Sequence, residues 1–268
     1  MLAHEPWSFG PRDPEFLPPH QHEDIKRIWD ARTDATRRPP LETAIVWIAD
    51  GERPKWSTAL MRNEWAELAA TASETDLRER ILTGFKSGKP FTPYVPTLPL
   101  PAAIGAVLDF GCGLGRNFPY LTTIATRVVG FDLPEMIARM REIVPAGPIE
   151  LSSDWDAVRV MPFDLIFASL VLQHVPEDWC RRALADFARM APATYLLARG
   201  EGDFGFNALD LAAQSGDFDP GECRVVDHDP GTHQLRVLET VPFDTALAAD
   251  DPRHFEVLLH SRVFRSRG

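Results

Sequence analysis

The pattern of apolar and polar positions changes in character near residue 104. Before that point apolar residues recur at helical spacing, as in Ile25, Ile28 and Trp29, and this spacing predicts helices. Beyond it, short apolar runs alternate with amphipathic stretches, which is typical of a parallel sheet with helices on both faces. The pattern therefore predicts an α/β domain that follows a mainly helical N-terminal extension.

The α/β part divides into strands and helices whose limits can be predicted. The predicted strands are 104–110, 128–132, 149–151, 163–169 and 193–198, and the predicted helices are 116–126, 135–143, 177–190 and 208–214. Three later segments alternate like strands, namely Cys223–Asp227, Gln234–Thr240 and Phe255–Val263, with turn chemistry between the first two that suggests a hairpin.

The boundary between the two parts is predicted from proline. Residues 90–101 hold five prolines, which favours a stiff, extended connector. We therefore expect an extension over 1–101 and the α/β domain over 102–268. Five of the seven tryptophans lie before residue 66. They either fill the core of a small helical cap or line an apolar substrate pocket, and the sequence leaves both interpretations open.

Composition and charge exclude several classes of function. The net charge is −11, and an acidic surface repels phosphate backbones and anionic membranes, so we expect no nucleic-acid partner and no membrane association. The three cysteines form no C-x-x-C pair, which favours neither disulfides nor a metal site and suggests the cytoplasm. No apolar run approaches the roughly 20 residues of a membrane-spanning helix.

The most informative stretch is 107–117, where a predicted strand breaks into alternating glycines and then enters a helix. Gly111, Gly113 and Gly115 remove Cβ at a sharp turn, so the backbone can approach a ligand closely. A dinucleotide fingerprint would place its third glycine where this chain has Arg116. Asp109 stands two residues before the first glycine, where a carboxylate suits a cation better than a pyrophosphate. This motif resembles that of the class I S-adenosylmethionine-dependent methyltransferases.

The resemblance implies a Rossmann-like sheet, mostly parallel with an antiparallel last strand, and S-adenosylmethionine as the cofactor. Asp132 would accept hydrogen bonds from the ribose hydroxyls, Asp154 would hold the adenine amine, and Trp155 would cover the adenine ring. Each of the three has an ordinary structural alternative at a strand end or in a loop. The cofactor-binding residues that the resemblance implies are Asp109, Gly111, Cys112, Gly113, Gly115, Asn117, Asp132, Leu133, Asp154, Trp155 and Ser169.

Methyl transfer is a displacement that mainly requires alignment in a dry site, so a base is optional. If the acceptor is a hydroxyl, His174 is the best candidate for the base; otherwise it only stabilises the turn after the fourth strand. We expect transfer to a small-molecule acceptor, with O-methylation favoured. The alternatives are a protein methyltransferase and a catalytically silent cofactor-binding module that docks a protein partner.

Overall fold

A computed structural model describes residues 48–50, 53–55, 69, 93–143, 149–200, 202, 206–228, 234–248 and 251–264. The chain forms two compact units, Met1–Glu67 and Leu68–Gly268. In the first unit, β1 (Ile48–Asp50) and β2 (Arg53–Lys55) pair antiparallel. The helices predicted before residue 90 and the five N-terminal tryptophans lie outside the described residues, so the boundary at 101 stays a prediction.

The second unit contains one eight-stranded sheet with the order β5-β4-β3-β6-β7-β10-β8-β9. The first five strands in this order are parallel, and the last three are antiparallel to their neighbours. This confirms the predicted Rossmann-like sheet. The strands are β3 (Ile104–Phe110), β4 (Ala125–Phe131), β5 (Ile149–Ser152), β6 (Leu165–Ser169), β7 (Ala193–Arg199), β8 (Phe218–His228), β9 (Leu235–Val241) and β10 (His254–Ser261).

Five α-helices accompany the sheet in the described part of this unit. They are α1 (Phe118–Ile124), α2 (Pro134–Ile143), α3 (Trp155–Val158), α4 (Glu177–Met190) and α5 (Ala208–Ser215). The predicted limits of α4 are confirmed: acidic residues occupy its first turn, where they complement the helix dipole, and its buried stripe includes Cys180, Ala183 and Phe187. No helix among the described residues is both long and apolar enough to cross a membrane.

The structure departs from the predicted limits at β8, which begins at Phe218 and not at Cys223, and around the first helix. The prediction ran from 116 to 126, whereas α1 ends at Ile124 and β4 begins at once with Ala125. Ala125 is extended because it pairs with Ile104 at the start of β3. The N–H of Ala125 still closes the last helical turn on Leu121 O, and the strand pairing that begins at Ala125 prevents a further turn.

All three segments that alternate like strands join the sheet. The antiparallel pair β8 and β9 confirms the predicted hairpin, and β10 lies between β7 and β8. The antiparallel region therefore comprises three strands, two more than the single antiparallel last strand that the resemblance implied. Because β10 pairs with β7 along its whole length, from His254 opposite Arg199 to His260 opposite Ala193, the end of the chain is joined directly to the parallel strands.

Candidate functional site

The glycine loop between β3 and α1 turns through three left-handed residues, with φ of 71° at Gly111, 54° at Gly113 and 74° at Gly115. Side chains would strain this conformation, and two of the positions also lack space. A Cβ on Gly111 would lie 2.2 Å from Val171 Cγ2, and one on Gly115 would lie 2.5 Å from Phe118 Cδ2. The loop is thus a close-approach turn at the carboxyl edge of the sheet.

The glycine loop is fastened to the end of β4. The N–H groups of Gly111 and Cys112 both donate to the carbonyl oxygen of Phe131, at 2.8 and 3.1 Å. Asp132 Oδ2 accepts from Gly113 N at 2.7 Å, and its Oδ1 accepts from Leu133 N at 2.7 Å. Burial raises the pKa of Asp132 to about 6, and these two N–H groups oppose the shift. Each oxygen keeps a second lone pair, with which it can accept from a ligand hydroxyl.

Asp109 carries a buried carboxyl group near the end of β3, two residues before Gly111, with 1% of its surface exposed. Neither oxygen makes a hydrogen bond of ordinary geometry, although the Asn117 side chain lies close enough to act against the rise in the pKa of Asp109. Burial, and then the negative charge of Asp132, raise the pKa of Asp109 to about 8. An unpartnered acid at this position is suited to a positively charged or hydrogen-bond-donating ligand.

A proline-rich segment packs against the residues that follow the glycine loop. The strap, which we define as residues 93–100, is held to α1 because Tyr94 N donates to Asn117 Oδ1 at 3.2 Å. The Arg116 guanidinium lies 4.4 Å from the centre of the Tyr94 ring. Burial lowers the pKa of Arg116, and the Tyr94 side chain opposes that shift. The strap is therefore packed on the domain and is not a free linker.

A second anchor of the strap is the carboxylate of Glu256 in β10, which is fully buried. Its oxygens accept from Thr97 N at 2.7 Å, from the Thr97 hydroxyl, and from the Tyr195 hydroxyl at 3.0 Å. Arg224 also donates to the Thr97 carbonyl. Sequence analysis did not single out these residues. The sequence did contain a sign of this anchor, because Glu256 is the one acidic residue in the otherwise apolar strand segment Phe255–Leu259. A strand segment of this composition is buried on both faces, so its acid requires internal partners.

The carboxyl end of β6 supplies a strained turn beside the glycine loop. Ser169 Oγ is buried and has no hydrogen-bond partner in the structure. The next residue, Leu170, is the only non-glycine residue recorded with positive φ in the described part of the chain, at 55°. A left-handed leucine costs about 1 to 2 kcal/mol, and such strain persists where a site requires it. Val171, which closes over Gly111, follows directly.

The two predicted adenine residues lie in different environments. Asp154 is exposed and caps α3, since its Oδ1 accepts from Ala157 N at 3.1 Å. Trp155 has only 2% of its surface exposed and donates from Nε1 to Asp186 at 3.0 Å. Its ring lies 5.0 Å from Phe131, within an aromatic cluster that also contains Phe110 and Phe187. Most of the Trp155 side chain is therefore packed in the hydrophobic core.

His174 is half-buried in a 3₁₀ turn, Leu172–His174, that follows the strained turn after β6. Its Nε2 lies 3.4 Å from Gln173 Nε2. The described residues contain no group of three or more His, Cys, Asp or Glu side chains that could hold a metal ion. The structure thus brings Asp109, the glycine loop and Asp132 together, and places Ser169 and His174 on the neighbouring strand exit.

Comparison with known proteins agrees with this geometry. Residues 107–192, which run from β3 to the end of α4, match the family described as "Methyltransferase domain". No curated protein matches the chain.

Several solved structures are similar to this chain at low identity. The N-methyltransferase NodS from Bradyrhizobium japonicum, in complex with S-adenosyl-L-homocysteine, is 14% identical over 60% of this chain and 79% of its own, with a TM-score of 0.42. A putative methyltransferase in complex with the Haloferax volcanii Trm112 activator is 14% identical over 74% and 97%, with a TM-score of 0.49. A TehB-like methyltransferase from Corynebacterium glutamicum is 18% identical over 77% and 100%, with a TM-score of 0.43.

The conclusion about family rests on the family match, the strand order and the glycine loop. The loop follows the first of five parallel strands, and an acid ends the next strand in the chain, which is the arrangement that binds a nucleoside in folds of this kind. The buried, unpartnered Asp109 fits a cationic cofactor. Residues 107–192 therefore match a methyltransferase domain, and the protein is a methyltransferase that uses S-adenosylmethionine and has the fold of the class I enzymes.

Proposed function

We propose that this protein transfers the methyl group of S-adenosylmethionine to a small-molecule acceptor, with an oxygen as the favoured attacking atom. The observation that carries the proposal is that the polar groups of the site are buried. The carboxyl group of Asp109 and the hydroxyl of Ser169 are both buried, and the strap is held to Asn117, whose side chain lies close to Asp109. A small acceptor enters such a site more readily than a folded macromolecule does. The net charge of −11 also disfavours nucleic acid.

Different residues of the site would hold different parts of the cofactor. When bound, the cofactor supplies an electrophilic methyl group. We assign Asp109 to its positively charged amino-acid part, because a buried carboxylate without a partner favours a cation. Asp132 would accept from the ribose hydroxyls with its remaining lone pairs. The other residues that we assign to cofactor binding are Gly111, Cys112, Gly113, Gly115, Asn117, Leu133, Asp154, Trp155 and Ser169.

For the transfer itself, alignment and the exclusion of water contribute most. The turn at Leu170 fixes the backbone between Ser169 and Val171, and Leu170 N donates to Leu197 O at 2.7 Å. This turn would form one wall of the acceptor site. We also propose a cytoplasmic location, which is supported by three buried, free cysteines, Cys112, Cys180 and Cys223.

The test uses the full-length protein with methyl-labelled S-adenosylmethionine and a fractionated cell extract. We expect the label to enter small metabolites. Label in protein would support the protein methyltransferase instead, and no incorporation would support a silent cofactor-binding module. Calorimetry gives an independent check, since we expect S-adenosylmethionine and its demethylated product to bind and NAD not to bind. Binding of NAD alone would refute the cofactor assignment.

A further inference from the structure

The side chain of Gln173 is held in one orientation between two strand exits. It is 6% exposed, and it lies in the 3₁₀ turn that follows β6. Its Oε1 accepts from the backbone N–H of Arg199, the last residue of β7, at 2.9 Å. A backbone N–H can only donate, so the atom facing Arg199 must be the amide oxygen. This contact therefore fixes which end of the Gln173 amide is the oxygen and which is the nitrogen.

The fixed amide determines which proton the neighbouring histidine carries. With its oxygen on Arg199, Gln173 turns its NH₂ group toward His174, and the two Nε2 atoms are 3.4 Å apart. An amide nitrogen can donate but cannot accept, so His174 Nε2 must be the acceptor of this long hydrogen bond. A neutral imidazole whose Nε2 accepts carries its proton on Nδ1.

We propose that Gln173 is a positioning residue that holds His174 as the neutral Nδ1–H tautomer, and that His174 therefore does not serve as the general base of methyl transfer. In this tautomer the Nε2 lone pair is engaged by Gln173 and Nδ1 already bears a proton. Neither ring nitrogen can take a proton from an acceptor without breaking the contact with Gln173.

This inference narrows the acceptor class, and it rests on the proposed function. An aliphatic alcohol must lose its proton as its oxygen attacks, and it benefits from a base. A carboxylate arrives with its lone pair available and requires only alignment. The geometry at Gln173 accordingly favours an acceptor whose attacking oxygen is already ionised in solution.

The experiment is nitrogen NMR on the full-length protein labelled with ¹⁵N in histidine, with the His174 signals assigned by their loss in His174→Gln. The ring nitrogen shifts and their couplings to carbon-bound protons distinguish the two tautomers. We expect the Nδ1–H pattern in the wild type. In Gln173→Glu a carboxylate oxygen faces His174 and can only accept, so we expect the proton on Nε2. In Gln173→Leu, which retains apolar bulk at this buried position, we expect the preference for Nδ1–H to be lost.

A matched control is Gln214→Glu. Gln214 is exposed, and its amide accepts from Arg181 at 3.0 Å and donates to Asp210 at 2.8 Å. Because none of these contacts involves His174, the replacement should leave the His174 signals in place. A wild-type Nε2–H pattern would overturn the proposal, as would unchanged His174 signals in Gln173→Leu. The leucine variant decides the matter if the glutamate variant does not fold. The spectra require no turnover, so their outcome is separate from that of the labelling test of the proposed function.

Discussion

Gly111 in the glycine loop and Val171 beyond β6 approach each other so closely that a Cβ on Gly111 would lie 2.2 Å from Val171 Cγ2. No side-chain contact of that length occurs in real structures, so one of the two chain segments would have to move. The backbone of Gly111 also has a φ of 71°. The contact joins the loop that follows β3 to the turn that follows β6, which are the two loops to which we assign the cofactor and the acceptor.

We predict that Gly111→Ala lowers the free energy of unfolding by about 2 to 5 kcal/mol, which combines left-handed strain with overpacking against Val171. Cofactor affinity should fall as well. Gly216→Ala is the matched control, because Gly216 has a φ of 69° but open space around its Cβ position, so only the strain of about 1 to 2 kcal/mol applies. Urea denaturation measures both variants. Equal losses would show that the Val171 contact is relieved easily.

Asp132 both holds the glycine loop and is assigned to the ribose. We predict that Asp132→Ala weakens S-adenosylmethionine binding by about 1.5 to 3 kcal/mol, the usual worth of hydrogen bonds to a charged group. Calorimetry measures the loss. Asp154→Ala is a useful comparison, because Asp154 is exposed and its assignment concerns the adenine. Unchanged affinity in a folded Asp132 variant would move the ribose site elsewhere.

The stability of the cofactor-free protein should depend on pH through Asp109. Burial raises its pKa from 3.8 to about 8, so the folded state holds this proton more tightly than the unfolded state does. The stabilisation is complete below about pH 4, the pKa in the unfolded chain, and is lost as the pH rises toward 8. The slope has an upper limit of about 1.4 kcal/mol per pH unit.

Asp109→Asn removes this titration. We therefore expect the wild type to lose unfolding free energy relative to Asp109→Asn as the pH is raised from 5 to 8, as measured by urea denaturation without cofactor. Asp154→Asn, at an exposed helix cap, should follow the wild type through the same range. Parallel curves for the wild type and Asp109→Asn would show that Asp109 titrates at its ordinary pKa.

The strap should be released when its buried anchor is weakened. In Thr97→Val the hydroxyl that donates to Glu256 is replaced by a methyl group of similar size, and Arg224 loses a contact at 3.1 Å. We predict a loss of about 1 to 3 kcal/mol, together with faster amide hydrogen exchange over residues 93–100. Glu222→Gln is the control, since Glu222 binds Arg224 from an exposed position. Unchanged exchange in Thr97→Val would contradict an anchoring role for Thr97.

His174→Ala tests the role of the histidine by kinetics. A general base contributes about 10²- to 10⁴-fold, so loss of a base would reduce turnover at least 100-fold. We expect instead that turnover stays within a few-fold of the wild type and that cofactor affinity is nearly unchanged, because the contact with Gln173 occupies Nε2. The assay uses the acceptor identified by methyl labelling. A loss of turnover of 100-fold or more, with intact cofactor binding, would show that His174 is the general base.

The local sequence determined the order of elements in the α/β domain and the nature of its loop. Glycine spacing and the acids at positions 109 and 132 predicted a cofactor loop because they act through backbone conformation and strand ends, which are local properties. The periodicity of residues 177–190 predicted α4 with its exact limits, since an amphipathic helix records its buried face in its own sequence.

The tertiary structure decided which distant side chains share an environment. Thr97 and Glu256 are 159 residues apart in sequence, and they meet because β10 enters the sheet between β7 and β8, a pairing that no local pattern specifies. Trp155 lies in a predicted ligand loop, but its ring packs against the rings of Phe110, Phe131 and Phe187. Burial and hydrogen bonding are properties of the assembled sheet, so the ionisation of Asp109 and the proton on His174 are determined only when the chain is folded.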